Sequence, residues 1–148
     1  MKRGLAFLLL CAPLLLCALS ACADPRAMER QARELVFEKL STPQMGVVVG
    51  PVVQQSKFAV VDWTRGGLEG GRILLRRDGG DWTMVLCGGA PMKRRPVLQK
   101  AGVPDGTAGV LVTKLLREES RIDDARRAQV ERWKGLGVQV ACPEAKEG

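Results

Sequence analysis

The stretch Gly71-Arg-Ile-Leu-Leu-Arg-Arg-Asp-Gly-Gly-Asp-Trp-Thr-Met-Val-Leu-Cys87 decides the fold. Two runs rich in apolar residues flank Asp78-Gly-Gly80, and glycines between two such runs favour a tight turn between antiparallel strands. The sequence therefore predicts a β-hairpin with strands over residues 71–78 and 81–87.

Alternation along the second strand of this hairpin sorts its side chains between two faces. One face is predicted to hold Trp82, Met84 and Leu86, and the other Thr83, Val85 and Cys87. In the first strand, Arg72, Leu74 and Arg76 alternate with Ile73, Leu75 and Arg77.

Two further strands are predicted upstream, over residues 46–54 and 57–65. The run Gly66-Gly-Leu-Glu-Gly-Gly71 then leads into the hairpin. This run lacks the Gly-Lys-Ser/Thr ending of a phosphate-binding loop and lies between strands, so it is interpreted as a flexible hairpin loop. Four strands this close in sequence are expected to pair as an antiparallel meander.

Helices are predicted before and after the strands. Asp24-Pro25 is typical of a capped helix start, and apolar residues at helical spacing follow as far as Leu40. Shorter helices are predicted over residues 96–101, from Pro104-Asp105 onward, and from Ile122 to Gly135, with a last strand over 136–141. We therefore expect an α+β fold: an N-terminal helix, a four-stranded antiparallel meander sheet, and C-terminal helices packed on one face.

The N-terminus is typical of a bacterial secretory signal. Lys2 and Arg3 precede an almost wholly apolar run over residues 5–19, and small residues follow. Leu19-Ser-Ala-Cys22 resembles the lipobox of bacterial lipoproteins, which predicts a signal over 1–21 and a lipid on Cys22. Ordinary cleavage after residue 23 is the alternative, because Ala21-Cys22-Ala23 also fits the small-x-small rule. The folded domain is predicted over 22–142, followed by a disordered tail over 143–148.

Export to an oxidising compartment makes disulfide formation between the remaining cysteines an expectation. Cys11 and Cys17 leave with the signal and Cys22 is lipidated or removed, so the folded part keeps Cys87 and Cys142. An even count of exported cysteines predicts a disulfide between these two. Closing a loop of this length is worth about 4 kcal/mol in the chain-entropy description.

Several classes of function lack the residues that they need. The chain contains no histidine, which removes Cys-His and Ser-His-Asp catalysis and every histidine-based metal site. The adjacent carboxylates, Glu118-Glu119 and Asp123-Asp124, fall where helix surface and helix caps are expected, so no catalytic pair is predicted. The formal net charge of +7 falls by two when the signal leaves, and aromatic residues make up 4% of the chain, which does not favour nucleic-acid binding.

Copper(I) is the one metal that the composition favours, since it prefers thiolate and thioether ligands. Met84, Cys87 and Met92 have a suitable spacing. However, residues 84 and 87 are predicted on opposite faces of a regular strand, and only a bulge, for which Gly88-Gly89 is the expected place, would bring them together. The alternative interpretation has Met84 in the core and Cys87 in a disulfide, and the sequence itself assigns no metal site or cofactor.

Four runs resemble the copper uptake system-associated proteins, a family of small exported bacterial proteins. They are Val60-Val-Asp-Trp-Thr-Arg65, Gly70-Gly-Arg-Ile-Leu-Leu-Arg-Arg77, Trp82-Thr-Met-Val-Leu-Cys-Gly-Gly89 and Ala101-Gly-Val-Pro104, and the ending Val130-Glu-Arg-Trp-Lys-Gly135 is also similar. The resemblance extends from about residue 45 to 140. It implies an accessory role in copper handling in the cell envelope.

The expected function is that of a non-enzymatic exported protein, lipid-anchored through Cys22 in the periplasm and accessory to copper uptake or handling. It would act through an envelope protein partner or through weak copper(I) binding. The alternative is a periplasmic protein-interaction module, inhibitor-like or an assembly domain, with no metal role. That module would use the glycine-rich hairpin or the basic Lys93-Arg-Arg95 loop.

Overall fold

The computed structural model describes residues 24–133 of the chain. It begins with α1 (Pro25–Leu40) and continues with four strands: β1 (Val47–Gln55), β2 (Phe58–Arg65), β3 (Glu69–Asp78) and β4 (Asp81–Gly88). A short 3-10 helix (Ala90–Lys93) follows, and then α2 (Arg95–Lys100), α3 (Asp105–Glu119) and α4 (Asp124–Glu131). The strands pair antiparallel in the order β1-β2-β3-β4, which confirms the predicted α+β fold and its meander sheet.

The predicted signal, the strand over 136–141 and the tail over 143–148 lie outside the described residues. So do the two ends of the predicted domain, at residues 22 and 142. Within residues 24–133, no helix is both long enough and apolar enough to cross a membrane.

Helix α1 begins and ends where its local sequence requires. The Asp24 carboxylate accepts a hydrogen bond from the backbone N–H of Arg26 at 3.0 Å, and Pro25 occupies the first helical position, where its missing N–H costs nothing. Ala32, Val36 and Leu40 recur every four residues and are fully buried. This spacing makes one continuous apolar stripe that faces the sheet.

The sheet is covered on both faces, by different helices. One core cluster lies beneath α1 and contains Val61, Trp63 and Ile73. The other lies beneath α2 and α3, where Val60 and Leu74 pack with residues such as Leu111. The C-terminal helices α2 and α3 therefore pack on one face, as predicted, and α1 covers the opposite face.

Two of the three hairpin turns, β2–β3 and β3–β4, differ in how far the sequence predicted them. Gly79 and Gly80 have φ values of 64° and 117°, which explains why glycines occupy the β3–β4 turn. The run 66–71 is only partly a turn. β3 begins at Glu69 rather than at the predicted Gly71, so Glu69 and Gly70 also belong to the strand and the predicted loop is too long.

Strand β1 contains an irregularity at Gly50 and Pro51. Val49 is paired with Trp63 and Val52 with Val61, so two residues of β1 lie opposite the single residue Asp62. This bulge leaves Asp62 without a partner on β1, whereas its partner on β3 is Arg72.

Candidate functional site

Met84 and Cys87 lie on the same face of the sheet, contrary to the prediction from alternation. Leu74 pairs with Leu86 but Leu75 pairs with Met84, so a bulge occurs inside β4 between these positions. A bulge reverses the alternation of every residue beyond it. Met84 and Cys87 consequently both belong to the core beneath α1, whereas Leu86 belongs to the opposite core. The bulge was expected at Gly88-Gly89 and is found before Leu86.

Met92 does not join them. Its side chain is fully buried in the core beneath α2 and α3, on the other side of the sheet from Met84. Cys87 is fully buried and disulfide-bonded. The Met84–Cys87–Met92 trio is therefore not assembled as a copper(I) site, and residues 24–133 hold no cluster of three or more Cys, Asp or Glu side chains suited to a metal ion.

Roles were also predicted for two other cysteines. Cys142, the predicted partner of Cys87, and Cys22, the predicted lipidation site, lie outside the described residues. The Cys87–Cys142 pairing and the lipid therefore stay predictions. Asp24, two positions after Cys22, caps α1.

The basic loop is largely neutralised by acidic partners. The Lys93 ammonium contacts the Glu131 carboxylate and lies 3.5 Å from the Glu119 carboxylate. The guanidinium of Arg95 contacts Asp105. Two of the three basic side chains thus hold the fold together, which argues against this loop as the interaction surface.

A cluster of buried charge lies beside the β1 bulge, and the sequence did not predict it. Arg72 and Asp62 are fully buried cross-strand neighbours on β3 and β2, with 3.3 Å between the Arg72 Nε and the Asp62 carboxylate. Arg72 Nε also donates to the Glu119 carboxylate at 2.9 Å. We define the charge cluster as Asp62, Arg72, Lys93, Glu119 and Glu131. It joins β2, β3, the 3-10 helix and the last residues of α3 and α4.

Glu119 departs from the expectation that it would lie on a helix surface. It is the last residue of α3 and is almost completely buried, because the Arg72 guanidinium and the Lys93 ammonium both approach its carboxylate. Asp123, by contrast, caps α4 as predicted, with its carboxylate accepting from the Arg126 backbone N–H at 2.8 Å.

Burial dominates the electrostatics of Asp62. Loss of solvent raises its pKa from 3.8 to about 8, against the favourable charge of Arg72, and the neighbouring Glu119 carboxylate raises it further. Burial therefore favours the protonated form of Asp62. The pKa of Glu131 moves the other way and is lowered, first by its hydrogen bond with Lys93.

Helix α4 packs against glycines of the sheet. A Cβ atom on Gly70 would lie 2.8 Å from the Gln129 carbonyl oxygen, and one on Gly71 would lie 2.7 Å from the Trp133 ring. Trp133 in turn meets Trp63 edge to face, with 5.9 Å between ring centroids. Gly70 and Gly71 therefore permit a close contact with a segment about 60 positions away, whereas the sequence indicated a flexible loop.

Large apolar side chains are exposed at one end of the domain, around the end of α1 and the β2–β3 turn. Phe37, Met45, Val48 and Leu68 are exposed there, and Leu68 is 81% exposed at the tip of the turn. Met45 approaches this turn, since its sulfur would lie 3.0 Å from a Cβ atom on Gly66. We call these four side chains the apolar end. Exposed large apolar side chains that share one end of a domain make that end a candidate interaction surface.

The outer edge of β1 is poorly suited to pair with another strand. Arg33 donates to the Val49 carbonyl, and the Lys114 ammonium donates to the Gln54 carbonyl at 2.8 Å. Pro51 has no N–H to offer, and the bulge twists the strand. An open cleft of about 450 Å³ runs along this edge between α1 and α3, with charges of both signs on its walls.

Comparisons with known proteins identify no relative. The chain matches no protein-family model, and neither the curated proteins nor the solved structures provide a significant match. Function is therefore inferred from the geometry of the described residues and from the sequence.

Proposed function

We propose that this protein is a non-enzymatic, lipid-anchored binding module of the bacterial periplasm that contacts an envelope protein through its apolar end, as an accessory to copper uptake or handling. The observation that supports it most directly is the apolar end itself, where the Leu68 side chain is 81% exposed on the β2–β3 turn. The copper role rests on the sequence resemblance alone.

The position of the start of α1 supports a protein, rather than the bilayer, as the partner of the apolar end. Gln54 donates to the Pro25 carbonyl at 2.7 Å, so the start of α1 lies beside the β1–β2 turn. Arg65 donates to the Leu40 carbonyl at 3.0 Å, so the end of α1 lies beside the β2–β3 turn that carries Leu68. The 16 residues of α1 span about 24 Å. A lipid on Cys22 would hold the opposite end of the domain to the membrane.

The separation of the two methionine side chains by the sheet favours protein contact over direct copper binding. Met84 and Met92 are separated by the sheet, and Cys87 is committed to a disulfide. A general interaction module without a copper role therefore remains the second candidate, and the test must separate the two.

The test is copper accumulation by the source bacterium under copper limitation, with chromosomal variants. We expect Leu68→Asp to lower accumulation to the level of a deletion strain. The matched control is Leu116→Asp, because Leu116 is also exposed but lies on α3 away from the apolar end. Unchanged copper in the deletion strain would disprove the copper role, and a Leu68→Asp strain that behaves as wild type would disprove the apolar end as the functional surface.

Two measurements on purified protein complete the test. Intact mass of envelope material without reductant reports the lipid on Cys22 and the disulfide together. Copper(I) titration against a competing chelator should give the same affinity for the wild type and for a Met84→Leu, Met92→Leu variant. A weaker affinity in the variant would restore direct binding.

A further inference from the structure

We propose that the charge cluster is a pH-responsive latch: ionisation of Asp62 loosens the packing of α4 and Trp133 against the sheet. The latch concerns the fold itself and does not depend on the proposed partner or on copper.

Helix α4 is held by contacts that converge on this cluster. Glu131, its last residue, contacts Lys93 and lies 3.8 Å from the Arg72 guanidinium. At the other end of the helix, Arg126 donates to the Gly50 carbonyl in the β1 bulge, directly opposite Asp62. The position of α4 thus depends on the same charges that surround Asp62.

The groups facing Asp62 come from each packed element that carries charge. Arg72 approaches from β3, Glu119 from α3 and Arg126 from α4, and β1 contributes only the uncharged Gly50 and Pro51. Protonated Asp62 can share its proton with Glu119. Ionised Asp62 would instead place a second buried carboxylate beside Glu119, and the two would compete for the same Arg72 guanidinium.

The ionised Asp62 carboxylate would be stabilised by hydration. Of the elements packed around it, α4 is the one that can move to let water reach it. The other elements are paired strands and the 15-residue α3, whereas α4 has eight residues and is too short to be stable without tertiary contacts. Because burial raises the pKa of Asp62 to about 8, this change falls between neutral and mildly alkaline pH.

The latch also lies next to the proposed binding surface. Gln129 of α4 donates to the Glu69 carbonyl at 2.7 Å, one residue after Leu68. If the proposed function holds, α4 then supports the turn that carries Leu68, and its release at alkaline pH would lower partner affinity.

Hydrogen exchange of the mature, disulfide-intact chain at pH 6 and pH 9 tests the latch. Wild type and Asp62→Asn are compared at each pH, so that the intrinsic base catalysis of exchange cancels. At pH 9 we expect α4 amides of the wild type to exchange about tenfold or more faster than those of Asp62→Asn, with α1 amides unchanged. Asp81→Asn, which changes an exposed acid at the start of β4, should behave as wild type.

Equal α4 protection in the wild type and Asp62→Asn at pH 9 would overturn the latch. So would equal loss in α1 and α4, which would indicate global rather than local opening. Should Asp62→Asn fail to fold, carboxyl-carbon NMR and hydrogen exchange of the wild type decide together: loss of α4 protection with the same midpoint as Asp62 ionisation supports the latch, and a different midpoint, or no loss, overturns it. Partner affinity is not a readout here, so failure of the proposed function leaves this result intact.

Discussion

The charge cluster and the apolar end are opposite departures from the usual distribution of residues. The first buries Asp62, Arg72 and Glu119 where apolar side chains are the rule, and the second exposes Leu68 and Met45 where polar ones are the rule. The two are joined by β3, since Arg72 lies four residues after Leu68. This contrast implies that removing a buried charge should destabilise the fold, whereas removing an exposed apolar group should weaken only the binding of a partner.

Arg72→Met should give the largest effect on stability. Removing the guanidinium leaves the buried Glu119 carboxylate with only Lys93, at 3.5 Å, as a cation, and breaking a buried ion pair in this way costs about 3–5 kcal/mol. Urea denaturation at neutral pH measures the loss. Arg76→Met is the control, because Arg76 pairs with Asp78 at the surface and should change stability by less than about 1 kcal/mol. Similar losses in both variants would contradict a special role for the cluster.

Gly71→Ala should give the next largest loss of stability, about 1–3 kcal/mol, which is typical of overpacking. The new methyl group would lie 2.7 Å from the Trp133 ring and 3.1 Å from the Gly88 carbonyl oxygen, so Trp133 must move. Thermal unfolding and tryptophan fluorescence should both change. Gly46→Ala provides the control, since no atom lies within 4 Å of a Cβ there. An unperturbed Gly71→Ala protein would mean that Trp133 does not pack on the strand.

Two carboxyl groups should change the free energy of unfolding in opposite directions as pH rises. The pKa of Asp62 is raised to about 8, so the folded state binds its proton where the unfolded state does not, and the free energy of unfolding falls as pH rises from about 4 to 8. The pKa of Glu131 is lowered, so its contribution is present above its ordinary pKa of 4.5 and is lost as pH falls below that value. Urea denaturation across pH 3–9 should show the decline between about pH 4 and 8 flattened in Asp62→Asn, and the decline below pH 4.5 flattened in Glu131→Gln. Parallel profiles for wild type and either variant would contradict the assignment to that residue.

The fold could be predicted because its signals are local. The β3–β4 turn follows from Asp78-Gly-Gly80, and the helical spacing of Ala32, Val36 and Leu40 defines α1 within its own segment. The faces of β3 follow from alternation, and Leu74 and Ile73 indeed lie in opposite cores.

The charge cluster and the sulfur positions depend on pairing between strands, which a single sequence does not specify. A lone Asp62 in an apolar strand and Arg72 before Ile-Leu-Leu were a signal, but only the β2–β3 register makes them neighbours. The bulge in β4 likewise reversed the predicted face of Cys87. Gly70 and Gly71 looked like a loop because the reason for them, α4 and Trp133, lies far along the chain.

Leu68→Asp should give the smallest effect on stability and the most direct test of the apolar end as a surface. An 81% exposed side chain on a turn contributes little burial, so the free energy of unfolding should change by less than about 0.5 kcal/mol. Trp63→Ala, fully inside the core beneath α1, should by contrast cost about 3–5 kcal/mol. Urea denaturation of both variants measures this difference. If Leu68→Asp destabilised the domain as much as a core substitution, Leu68 would be part of the packing, and the apolar end would lose its main support as a surface kept for a partner.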